Sequence, residues 1–224
     1  VKQPLSVRAF ERHPCLSTAW PLIRDALLHP MATFSNIDPV GSCRPALAFG
    51  LVTGWIGLAI ELSSLRASLI DLSTRFPEAF QNIAKTIPEL LAKMPFSDWI
   101  SPVAQDNVRP WLAIWVLGFP CVVVTLLATC TAIHVCLRLL GAGSGGYTAT
   151  ARVVAYSGSC ALVAWIPVVG DLLALGLVTV QQLTGLPAVH RASVGRVTMA
   201  ISLPFILAMV LLGVVSIWSL TALR

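Results

Sequence analysis

Charge is what this chain has least of. Asp, Glu, Lys and Arg make up 11% of its 224 residues, against roughly 25% in a soluble domain. That scarcity excludes an ordinary water-facing surface. Paired cysteines are also missing. Cys15, Cys43, Cys121, Cys130, Cys136 and Cys160 form no C-x-x-C pair, and a buried Cys behaves as a small hydrophobe. No disulfide framework is expected. Enzyme signatures fail too: there is no G-x-S-x-G, H-E-x-x-H or P-loop. The G-x-G at Gly141 and Gly143 belongs to a Gly/Ser turn, so it reads as a linker. His134 lies one turn from Cys130, but no further Cys or His completes a tetrahedral set. No catalysis, cofactor or metal is expected. The formal net charge is +5, yet the basic residues form no stripe with interleaved aromatics, which argues against nucleic acid.

Apolar residues are what is present. They make up 56% of the chain, and mean hydropathy is +0.82. Residues 111–137 run for 27 positions without a charged side chain. About 20 apolar residues suffice to cross the ~30 Å hydrocarbon core of a bilayer. The expected fold class is therefore all-α: a polytopic integral membrane protein. Five spans can be read, near 45–65, 111–137, 150–166, 168–186 and 197–223, with a re-entrant element as the alternative for the fourth, which holds Asp171, Gln181 and Gln182. Residues 1–44 form an amino-terminal segment before the 45–224 membrane domain. The sequence begins with Val1, as a GTG start translated literally or a trimmed chain would. The first 40 residues show no signal peptide, so the first span acts as the insertion signal.

Pro167 lacks an N–H and stops a helix, and Gly170 follows. IPVVGD therefore reads as the turn between spans three and four. The length of the 111–137 run predicts a tilt, or a kink near Pro120. Two further segments are amphipathic. Residues 18–29 predict a short helix lying in the membrane interface and ending before Pro30. In the 66–110 outer loop, Phe76, Phe80, Ile83, Ile87, Leu90 or Leu91, and Met94 recur at helical spacing.

Orientation follows from basic residues. The amino-terminal segment, the turn holding Arg138 with Arg152, and the turn holding Arg191 with Arg196 fall on one side of a five-span chain. Positive charge marks that side as cytoplasmic. Trp111, Trp115, Trp165 and Trp218 then fall at the opposite interface, where amphipathic rings prefer to sit. A cell membrane, of the bacterial inner type, is the expected location.

The order GAGSGGYTATARVVAYS, WIPVVGDLLAL and LTGLPAVHRASVGRVTMAISLP resembles the Yip-one domain family, the five-span Ypt/Rab-interacting membrane proteins and their bacterial relatives. LLHPMATF, at 27–34, is similar to the family's amino-terminal segment, and the resemblance covers roughly 21–223. It implies a five-span membrane domain. Eukaryotic members bind prenylated Rab GTPases through cytoplasmic regions, whereas bacterial members share only the membrane domain. This chain lacks a long acidic or aromatic-rich tail and has a long first outer loop. Those departures point to the bacterial branch.

Two constellations follow. Arg138, Arg152, Arg191 and Arg196 on one cytoplasmic face suit lipid phosphates or an acidic partner. That makes the leading expectation a non-catalytic protein that organises membrane or holds a partner. The alternative is a small transporter or channel subunit using Glu61, Asp171, Gln181 and Gln182, since polar groups inside spans mark pathways. Each has an ordinary reading beside it. The arginines satisfy the charge rule, Glu61 can reach the interface, Asp171 can stabilise a helix start, and the glutamines can bridge helices. Gly50 and Gly54 form a G-x-x-x-G pair that would admit a second helix, from another membrane protein or a second copy.

Overall fold

The structure, a computed structural model, describes residues 5–75, 108–166 and 169–222. It is all-helical, and the described residues contain no strand. Three short helices come first: α1 (Leu5–Arg12), α2 (Leu16–Leu28) and α3 (Pro30–Phe34). Long helices α4 (Arg44–Arg75) and α5 (Val108–Leu139) follow. Then come α6 (Gly146–Ser157), a 3-10 segment η1 (Gly158–Val163), α7 (Gly170–His190) and α8 (Val194–Ala222).

Local chemistry sets the boundaries. Pro14 follows α1, and the residue before a proline is pushed away from helical backbone. Cys15 precedes α2, where its backbone N–H bonds the Thr18 hydroxyl at 3.2 Å, one half of a capping box. Pro30 opens α3 at a position that needs no N–H donor. The turn between α5 and α6 uses Gly141 and Gly146 at φ of +65° and +77°, which glycine adopts without steric cost.

Among the described residues, three helices are long and apolar enough to cross a membrane: Arg44–Ser64, Gly118–Leu139 and Gly170–His190. A 20-residue helix spans about 30 Å, the thickness to be crossed. The stretch Val194–Leu207 of α8 is apolar but shorter. Helix α6 is the hub. Every residue from Ala149 to Ser157 is buried, with α4, α5 and α7 packed around it. Its alanines permit that crowding. The Gly170 N–H bonds the Ile166 carbonyl at 2.7 Å. A Cβ there would stand 2.7 Å from the carbonyl oxygens of Val163 and Ala164, so η1 and α7 meet through a glycine.

Several sequence boundaries move. Helix α4 runs to Arg75, past the expected loop start at 66. Pro120 sits inside an unbroken α5. The expected helix over 76–94, together with Pro167, lies outside the described residues, as do the side chains of Trp111, Trp115 and Trp218. The largest difference is amino-terminal. Val7, Phe10, Leu22, Ala26, Phe34 and Ile37 are buried in the common core. Gln181 donates its side-chain N–H to the Ala26 carbonyl at 2.8 Å, one of the last-turn carbonyls that α2 cannot satisfy itself. Gln181 is the twelfth of 21 residues in α7. The end of α2 thus docks at half the height of that helix.

Candidate functional site

The α5–α6 and α7–α8 turns are tied together at one end of the bundle. Ser144 donates its hydroxyl to the His190 carbonyl. The Gly145 N–H donates to His190 Nδ1 at 2.9 Å. A backbone amide can only donate, so Nδ1 is the acceptor and the ring proton sits on Nε2. That proton points to Thr150 Oγ1 at 2.9 Å, and the Thr150 hydroxyl stands 3.0 Å from His134 Nδ1. One hydrogen-bonded chain therefore links α7, α6 and α5. Tyr147 stands edge-on to His134, with ring centroids 5.6 Å apart.

Basic side chains decorate this end. Arg138 closes the last turn of α5 and is exposed, a favourable place for a cation at the negative end of the helix dipole. Gly143 lies against its stem, where a Cβ would come within 2.7 Å of Arg138 Cδ. Arg191 is exposed and holds the left-handed backbone, φ 50°, that terminates α7. For a residue with a Cβ this conformation costs about 1–2 kcal/mol, so the surrounding turn enforces it. Arg196 is exposed in the first turn of α8. Among the described residues no acid forms an ion pair with these three arginines.

Arg152 is elsewhere. Its side chain has no exposed surface and pairs with Glu11 of α1. One terminal nitrogen, Nη1, donates to the Asp38 carbonyl and the other, Nη2, to Glu11 Oε1. The same carboxylate oxygen accepts from the Tyr156 hydroxyl at 2.8 Å. Phe10 stacks edge-on to Phe49 at 5.4 Å, and Phe49 to Tyr156 at 5.6 Å. The arginine set read from sequence is thereby divided: Arg138, Arg191 and Arg196 face outward, whereas Arg152 faces the core. No sequence pattern named Glu11 as its partner. A signal existed, because a charge inside an apolar span needs a partner.

The polar residues of the spans are spread out. Glu61 is exposed on α4, and Asp171 is exposed in the first turn of α7. The N-cap of that helix is Val169, which offers no side-chain acceptor. Gln181 and Gln182 are buried. Gln182 donates to Ser157 Oγ at 3.4 Å, and Ser157 donates to the Val154 carbonyl at 2.7 Å. No hydrogen bond among the described residues joins Glu61 or Asp171 to the glutamines. The G-x-x-x-G pair is used within the chain: Gly50 abuts Ala155 of α6, and Gly54 abuts Val122 of α5.

Fold and site together define an all-helical protein with helices long and apolar enough to cross a bilayer and with a basic end. No family model, curated protein or solved structure matches the chain.

Proposed function

We propose that this is a five-span membrane protein of the Yip-like class. In this reading it holds anionic headgroups, or an acidic partner, at its basic cytoplasmic end, and it performs no catalysis. One observation carries the reading. Two turns far apart in sequence are bonded through Ser144, Gly145 and His190, and they present Arg138, Arg191 and Arg196 outward, with no acidic partner among the described residues. Such a cluster attracts a negatively charged leaflet by about 1 kcal/mol per residue. The resemblance of 21–223 to the Yip-one family supports the span count, with α6 and η1 as the third span and α8 as the fifth. Exposed Leu16, Trp20, Leu28 and Met31 suit an amino-terminal segment in contact with lipid.

The test is co-purification. The variant R138Q/R191Q/R196Q, extracted from native membranes in neutral detergent, is expected to lose most bound anionic lipid or partner by mass spectrometry. Retention equal to wild type would remove the proposal.

A further inference from the structure

Arg152 has more donors than the fold uses. A guanidinium carries five N–H groups in a fixed plane. Nη1 and Nη2 have partners, but Nε has none, in a side chain with no exposed surface. Arginine binds carboxylate or phosphate best through two parallel N–H groups. Nε and Nη2 form such a fork, and Glu11 engages only the Nη2 half. The Tyr156 hydroxyl converges on the same carboxylate oxygen at 2.8 Å. Gly41 backs the guanidinium so closely that a Cβ would collide with it. This is an anion cradle with one strong donor unspent, and an unmade hydrogen bond in a buried place is costly.

The present occupant belongs to a small element. Helix α1 has eight residues, too few to persist alone in water. Val7, Phe10 and Glu11 fasten it to the bundle. A phosphate has enough acceptor oxygens to engage Nε, Nη2 and the Tyr156 hydroxyl together.

We propose that Arg152 and Tyr156 form a phosphate-binding site, with Glu11 as an internal carboxylate that an arriving phosphate displaces, lifting α1. This site is distinct from the exposed arginines. Its test is therefore made in the R138Q/R191Q/R196Q background, with phosphatidic acid as lipid probe, phosphatidylcholine as neutral control and inorganic phosphate as free anion. Adding Glu11→Gln should tighten phosphatidic acid binding at least about tenfold, because a neutral amide holds the guanidinium more weakly than the carboxylate and is displaced more easily. Adding Arg152→Gln as well should abolish that gain. Competition by inorganic phosphate supports a site for free anions; its failure supports one for a lipid headgroup. The proposal is overturned if Glu11→Gln brings no gain, or if the gain survives Arg152→Gln. Hydrogen exchange on the unmodified chain is independent of either variant's folding. Phosphatidic acid should raise exchange across Leu5–Arg12 and phosphatidylcholine should not; equal exchange with both overturns the proposal.

Discussion

At the residue scale, two side chains make sharp claims. Cys15 is exposed, and its sulfur lies 3.0 Å from the Ser17 hydroxyl and 3.4 Å from that of Thr18. Those hydroxyls, Ser17 foremost, stabilise the thiolate and bring the thiol down from 9.0 to about 7. A lowered value means more thiolate near neutrality, and the thiolate is the reactive form. Alkylation of Cys15 should rise through about pH 7 and reach its plateau where an ordinary thiol is still mostly protonated. Replacing Ser17 with Ala should move the midpoint upward. The second claim concerns Arg152. Glu11→Leu leaves a buried guanidinium without its counter-charge, which costs about 3–5 kcal/mol. Adding Arg152→Met removes the stranded charge and should recover most of that loss. Thermal unfolding in detergent reads both, and a double variant no more stable than the single one would contradict the assignment.

At the scale of elements, glycines set how near the helices come. Gly50 and Gly57 lie two turns apart and face the same way, towards α6 and η1. A Cβ on Gly50 would stand 2.7 Å from the Ala155 carbonyl oxygen, and one on Gly57 would stand 2.5 Å from Ala161 Cβ. Gly54 is rotated around α4 toward α5, with a Cβ reaching 3.1 Å from Val122. Gly50→Ala must push backbone apart, so a loss of about 1–3 kcal/mol is expected, or several degrees in Tm for a chain of this size. Gly176→Ala on α7 is the control, since nothing lies within 4 Å and alanine is the better helix former. Unchanged Tm in Gly50→Ala would refute the tight seam. Spacing marked Gly50 and Gly54 as a pair that admits a close helix. It did not show which neighbour each one meets, because a 3.6-residue repeat spreads three glycines over two adjoining partners.

For the whole molecule, legibility divided along physical lines. The all-helical character and the apolar helices were readable because lipid imposes composition on anything that crosses it. The turn around 141–146 was readable because left-handed backbone selects glycine. The burial of α1 to α3 was not, since Glu11 and Arg152 lie 141 residues apart and no local pattern encodes such a pairing. Counting positive charges placed Arg152 with Arg138, as that rule weighs charge near span ends and is blind to burial. The His190–Thr150–His134 chain was hidden for a similar reason, because each member is unremarkable on its own helix.

The central claim of the proposed reading is that the start of α2, at Cys15, and the α7–α8 turn lie on one face of the membrane, proposed as the cytoplasmic one. Two single-cysteine proteins test it most directly, one keeping only Cys15 and the other carrying only Ser193→Cys. Both positions are exposed. A membrane-impermeant maleimide should label both in inverted vesicles and neither in right-side-out vesicles until detergent is added. Labelling of the two positions from opposite faces would contradict the account.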